Sequence, residues 1–152
     1  MTTSAHTVIA AMETLHPGWS ATRKHNLLFF AQGHCLTTLS APMFIEPLHA
    51  TATGAAADLD SPVDGGAALT GRQIGLLDWV LGRYERIFPV DLQSLIQIST
   101  AWQLARQNDR HHIEHVWLTD WFSRHAERND EGRPTGAEVD ATAAALRARA
   151  KG

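Results

Sequence analysis

The sequence predicts a compact, mainly α-helical domain with a small β element, a strand or hairpin near residues 42–52. Apolar residues recur at spacings of three and four along most of the chain, which is typical of amphipathic or buried helices. Ser, Thr and Asp residues precede these stretches at positions suited to helix caps. Around Pro42 and Pro47, by contrast, Phe44 and Leu48 indicate a short edge strand.

The first two helices are expected on either side of a stop signal, His-Pro-Gly at residues 16–18. The helix before it covers residues 3–15 and has one apolar face. The helix after it begins at a cap provided by Ser20 or Thr22 and runs to about Leu39. Its apolar residues leave little polar surface, so we expect this helix to be almost wholly buried.

A long loop is expected over residues 52–71, which are rich in Gly, Ala and Asp and poor in large side chains. Loops of more than about 15 residues inside a compact domain are usually functional or mobile. Further helices follow this loop, each after a polar cap. The expected caps are Thr70, Asp91, Ser99 or Thr100, and Asp109.

The domain organisation predicted from these patterns is a helical domain over residues 1–125 and a separate tail over residues 126–152. The tail starts with a charged linker that contains Asn, Asp, Gly and Pro. An Ala- and Arg-rich run follows, with few large apolar anchors. Such a run is a marginal helix by itself, and we expect it to be disordered or to become helical on binding.

Composition excludes several classes of protein. The chain has 152 residues, with 13 Lys and Arg against 16 Asp and Glu, and a net charge of -3 argues against nucleic acid as its main partner. Its single cysteine, Cys35, excludes an internal disulfide framework and fits a reducing cytoplasm. No apolar run is long enough to span a membrane, and no secretory signal is visible. We therefore expect a cytoplasmic protein that has no membrane partner.

A metal site is the strongest catalytic candidate in the sequence, and it is not favoured. His111 and His115 are four residues apart in a predicted helix, and Glu114 completes an inverted zinc-protease pattern, H-x-x-E-H. A catalytic zinc needs a third protein ligand, and the chain offers no convincing one. Incidental capture of zinc or nickel by this pair stays open. We expect no cofactor, no catalytic residue and no enzymatic activity, because phosphate-binding glycine loops and nucleophile elbows are also missing from the sequence.

The tryptophans carry the remaining signal. Most of the five are expected in the core, but tryptophan also dominates protein–protein hot spots. The candidate partner-binding residues are Trp117 and Trp121 on the last helix and Arg147 and Arg149 in the tail. An exposed tryptophan would equally suit a homo-oligomer.

Two motifs resemble a known family. KHNLLFFAQG at residues 24–33 resembles the KLLYFAQG helix of the SocA-like, or Panacea, antitoxin domain, and APMFIEPLHA at 41–50 resembles its G-x-P-L-F-x-E-P-I-x-A segment. Weaker helical patterns follow in the family's order, so the resemblance covers roughly residues 8–122. The residues that match the family's motifs are Leu27, Leu28, Phe30, Ala31, Gln32, Gly33, Pro42, Phe44, Glu46, Pro47, Ala50, Gly54 and Trp102. The chain departs from the family after Ala50, where a Trp and a YGPV turn are replaced and only Gly54 is kept.

The resemblance implies an antitoxin of a type II toxin–antitoxin system, which neutralises a cognate protein toxin by direct contact. One member of the family acts as an adaptor that delivers its toxin to a protease. The motif residues would form the scaffold, and toxin contacts would come from the loop at 53–71, the later helices or the tail. Two alternatives stay open: a DNA-associated regulator of its own operon, and a phage or mobile-element protein that has repurposed the domain.

Overall fold

The computed structural model describes residues 3–59, 68–108 and 110–124. These residues form six helices and one three-stranded antiparallel sheet, which confirms the predicted class, mainly α with a small β element. Residues 60–67 of the predicted loop, Asp109 and the predicted tail lie outside the described residues. In chain order the elements are α1 Ala5–Leu15, α2 Ala21–Thr38, β1 Leu48–Ala50, β2 Ala55–Ala57, α3 Gly71–Tyr84, α4 Pro89–Gln97, α5 Thr100–Gln107, β3 His112–Ile113 and α6 His115–Arg124.

Helix α2 is the centre of the fold. Every residue from Asn26 to Cys35 is buried, as the sequence pattern predicts, because the helix is packed by α1, α3, α4, α6 and the sheet. Its two adjacent phenylalanines both contact Phe122, with ring centroids 5.6 Å apart for Phe29 and 6.2 Å for Phe30, and Phe30 also packs on Tyr84 at 4.2 Å. Neither α2 nor any other helix in the described ranges is long and apolar enough to cross a membrane.

Local capping fixes the start of three helices where the sequence predicts it. The hydroxyl of Ser20 accepts a hydrogen bond from the third amide of α2, and Ser99 does the same for α5. Thr70 and Gln73 form a reciprocal capping box at α3. The prediction for α4 is wrong by three residues: the cap position is Phe88 rather than Asp91, the helix begins at Pro89, and Asp91 lies inside its first turn. Proline suits this first position because its fixed φ is helical and its missing N–H would be unpaired there.

The end of α3 is held by a charged side chain from α2. The buried guanidinium of Arg23 donates from Nη1 to the carbonyl of Ile87 at 2.8 Å, and from Nη2 to those of Tyr84 and Glu85 at 2.9 Å. Tyr84 is the last residue of α3 and Glu85 is its C-cap, so the cation bonds carbonyls that the helix C-terminus leaves open; the carbonyl of Tyr84 also accepts from the amide of Ile87 at 3.1 Å. Burial lowers the pKa of Arg23 from its usual value.

The sheet has the order β2-β1-β3, with β1 in the middle. Leu48 pairs with Ala57 on one side and with Ile113 on the other, and these side chains face the core. Strand β2 lies inside the segment that the sequence predicts as loop, so that prediction is wrong for residues 55–57. Three alanines carry almost no strand signal of their own, and here long-range pairing decides their conformation.

The start of the last helix also differs from the prediction. The sequence predicts a helix capped by Asp109, but the chain instead forms β3, and α6 begins only at His115. The amide of Ala50 donates to the carbonyl of His111 at 2.7 Å, and His111 has a φ of 55°, in the left-handed region. Pairing with β1 therefore takes precedence over local helix propensity in this segment.

Candidate partner-binding surface

The most specific motif residue, Gln32, is used inside the protein. It is 1% exposed, and its Oε1 accepts hydrogen bonds from the amides of Met43 at 2.6 Å and Phe44 at 3.4 Å. Its Nε2 donates to the carbonyl of Phe44 at 3.0 Å. The side chain of Gln32 thus bonds the backbone amides and carbonyl of residues 43–44, as a neighbouring strand would in a β-sheet.

Glu46 is also turned inward. Both of its carboxylate oxygens accept from the amide of Ala5 at 3.0 Å, and the side chain is buried. Ala5 is the first residue of α1, so the carboxylate lies at the positive end of the helix dipole and takes a donor that the helix leaves open. The neighbouring amide of Ile45 donates to the carbonyl of Thr3 at 3.1 Å, which ties the same two segments together.

Gly54, which this chain keeps where its neighbours depart from the family pattern, has a steric reason to be glycine. A Cβ at this position would overlap Oδ1 of Asn26, the atom that accepts from the amide of Ala55 at 3.0 Å. The carbonyl of Gly54 accepts from Nε1 of Trp102 at 2.9 Å, and the carbonyl of Thr51 accepts from the same nitrogen at 3.2 Å. The β1–β2 turn is therefore held by α2 on one side and α5 on the other.

The other motif residues also belong mainly to the interior. Gly33 lies against the ring of Phe122, and a Cβ there would overlap that ring, so glycine allows the close approach of α2 and α6. The remaining matched residues differ in burial. Leu27, Leu28, Phe30, Ala31, Phe44 and Ala50 are buried, Pro42 and Trp102 are partly exposed, and Pro47 is exposed.

Of the candidate partner-binding residues, Trp117 and Trp121 lie on α6. Trp121 is only 8% exposed, so most of its ring lies in the interior. Trp117 is partly buried and packs against the core from α6. Arg147 and Arg149 lie outside the described residues. The last helix therefore contributes its tryptophans mainly to packing.

The histidine pair proposed for a metal does not have the expected geometry. His111 precedes β3, whereas His115 is the first residue of α6, so the two do not share a helix face. Nδ1 of His111 lies 3.2 Å from the carbonyl of Ala105, and Nε2 of His115 lies 3.4 Å from Nε2 of Gln32. Among the described residues, no group of three or more His, Cys, Asp or Glu side chains is placed to hold a metal ion.

Cys35 is a buried side chain with a suppressed acidity. Burial raises the pKa of its thiol to about 12, so it stays protonated at neutral pH. The adjacent His34 contacts a different group: its Nε2 lies 3.0 Å from the hydroxyl of Tyr84. These two residues therefore do not act as a nucleophile and its base.

The exposed apolar residues were not singled out by the sequence analysis. Phe88 is 72% exposed and Val90 is 66% exposed, and they flank Pro89 at the start of α4. We call them the Phe88/Val90 pair. The signal that would have revealed it is the run from Ile87 to Val90, in which apolar residues surround a proline at a helix start. An amphipathic helix buries one face only, so apolar residues that flank a proline at a helix start are not all buried.

In comparisons with protein-family models, curated proteins and solved structures, none of these matches the chain. The family resemblance therefore rests on sequence patterns alone. In the structure, most of the matched motif residues have internal positions, and of the large exposed apolar residues in the described ranges only Ile45 lies within one of the two motifs.

Proposed function

We propose that this protein is an antitoxin-like binding protein that neutralises a cognate protein toxin by direct contact. The observation that carries the proposal is the exposure of the Phe88/Val90 pair. Large apolar side chains on a surface are individually common, but an aromatic and an aliphatic residue exposed together at a helix start suit an anchor for a protein partner. The two motifs of antitoxin type support the same function.

The distribution of polar residues favours binding over catalysis. Gln32 and Glu46, the polar motif residues, are buried and hydrogen-bonded to backbone groups. They stabilise the scaffold, which leaves the exposed helix surfaces for recognition. Within residues 1–122 the sequence carries eleven acidic and seven basic side chains, a balance that suits a toxin with a basic surface.

The first experiment tests neutralisation directly. The protein encoded next to this gene is induced with and without this chain, surviving colonies are counted, and the two proteins are co-purified. We expect growth arrest by the neighbour, rescue by co-expression, and a stable complex. A harmless neighbour, or a toxic one that is never rescued, would overturn the antitoxin assignment, and gel shifts with the upstream DNA would then test the regulator alternative.

The second experiment tests the surface. The double variant Phe88→Ser/Val90→Ser removes both apolar side chains, and serine at residue 88 is itself a favourable helix cap, so α4 should still form. If this pair is a hot spot, affinity should fall about 30-fold or more. The control is Ile98→Ser/Val116→Ser, which changes two other exposed apolar residues. Equal losses in both double variants would contradict an anchor at α4.

A further inference from the structure

A cleft opens between the first two turns of α2 and the β1–β2 turn. Its volume is 310 Å³, near the lower end of the range of small-molecule sites. One wall comes from α2 and the other from the sheet. The lining residues are Ala21, Thr22, His25 and Asn26 from α2, and Thr51, Thr53, Ala55 and Ala56 from the turn and β2. The cleft is not lined by Glu46 or Arg23, the two side chains that bond the ends of α1 and α3.

Asn26 provides a hydrogen-bond donor at the base of this cleft. The side chain is 3% exposed, and its Oδ1 accepts from the amide of Ala55, which fixes the amide group with Nδ2 as the remaining donor. Within residues 3–59, 68–108 and 110–124, Nδ2 has no hydrogen-bond partner. Nδ2 is reached by solvent, so an acceptor on a ligand can replace water there.

His25 adds a second donor one residue away. Its Nδ1 lies 3.1 Å from the amide nitrogen of Ala57 and accepts that proton, so the neutral ring carries its own proton on Nε2. Protonation of Nδ1 would turn two donors toward each other. In the described part of the chain Nε2 also has no hydrogen-bond partner. The ring is therefore held as a neutral donor.

The electrostatic surroundings favour a negative ligand. No carboxylate is among the residues that line the cleft. Burial is the main cause that lowers the pKa of His25, and the proximity of His6 and Lys24 lowers it further. The ammonium of Lys24 is itself paired with the carboxylate of Glu13 at 2.8 Å. The first turns of α2 also belong to the positive end of a helix of 18 residues.

We propose that this cleft binds the oxyanion group of a small molecule, a carboxylate or a phosphate, through Nδ2 of Asn26 and Nε2 of His25. The hydroxyl of Thr22 is a third group that lines the same wall. The methyl groups of Ala21, Ala55 and Ala56 suit a small apolar body attached to the anion. This site does not depend on the proposed antitoxin function, because the Phe88/Val90 pair does not line it.

The test is a titration of the ¹⁵N-labelled full chain with sodium phosphate and, separately, sodium acetate, against sodium chloride at equal ionic strength. We expect saturable shifts of the Asn26 side-chain amide and the His25 ring nitrogens, together with the backbone amides of Ala55 and Ala57. The stronger of the two responses identifies the anion class. Equal shifts with chloride, or no shift at Asn26 and His25, would overturn the proposal.

The matched variants are Asn26→Asp and Asn108→Asp. The first keeps an acceptor for the amide of Ala55 but replaces Nδ2 with a negatively charged oxygen, so the anion should bind at least about tenfold more weakly. The second makes the same change at an exposed asparagine whose Oδ1 accepts from the amide of Arg110 at 3.2 Å, and it should bind like the unmodified chain. Unchanged binding by a folded Asn26→Asp variant would refute the assignment, and the shifts of the unmodified chain decide the question if that variant does not fold.

Discussion

Replacing Gln32 with methionine would remove three hydrogen bonds from the interior and keep a side chain of similar length and volume. Oε1 accepts from the amides of Met43 and Phe44, and Nε2 donates to the carbonyl of Phe44. Met43 and Phe44 are both 0% exposed, so water cannot replace the lost partners without a rearrangement of this segment. The substitution therefore isolates the polar contribution from the contribution of packing.

The expected loss follows from which bonds are short. The bonds at 2.6 Å and 3.0 Å are well formed, whereas the one at 3.4 Å is weak. A buried group left without its partner costs about 1–3 kcal/mol, so two such groups predict a loss of about 2–6 kcal/mol in the free energy of unfolding. With a urea dependence of about 2 kcal/mol per M, the unfolding midpoint should fall by about 1–3 M.

Urea unfolding followed by circular dichroism measures this shift, and Gln107→Met is the control because Gln107 is exposed at the end of α5. The control should unfold within about 0.3 M of the unmodified chain, since surface substitutions usually change stability by no more than about 0.5 kcal/mol. A Gln32→Met midpoint equal to that of the control would refute the idea that these hydrogen bonds hold the segment before β1.

Further substitutions and treatments test other contacts. Gly33→Ala should destabilise the protein by at least about 1 kcal/mol in urea unfolding because its Cβ meets Phe122, whereas Gly82→Ala, which meets nothing within 4 Å, should stabilise it. Trp102→Phe should cost about 1–2 kcal/mol by thermal unfolding, since the ring stays but Nε1 no longer bonds the β1–β2 turn. Cys35 should resist a thiol reagent at pH 8 until urea is added. Because the pKa of Cys35 is about 12 when folded and lower when unfolded, its contribution to stability should fall as the pH rises from about 9 to 12, which a comparison with Cys35→Ala measures.

The parts of the fold that could be predicted from sequence are those decided within a few residues. Ser20, Thr70 and Ser99 cap helices through amides three residues further on, so each signal is contained in one short window. Strand β2 and the region around His111 depend instead on pairing with β1. In both places the local composition favours another structure, and long-range hydrogen bonds decide the outcome.

The candidate sites were harder to predict for the same reason. The two donors of the cleft, on His25 and Asn26, are defined by amides about thirty residues away, and no sequence pattern identifies which nitrogen is left over. The exposure of Phe88 depends on how α4 packs on α2 and α5. The motif residues could be located from sequence, but their burial became evident only when their backbone partners were known.

Side chains of α2 close the outer edge of β2, and this limits how another chain can pair with the sheet. The strand lies at the edge of the sheet, yet its outward amides at residues 55 and 57 are taken by Asn26 and His25. The opposite edge strand, β3, is only two residues long. Among the described residues, neither edge offers a continuous row of free backbone groups, so this sheet is a poor template for strand-by-strand assembly, whether in recognition or in aggregation.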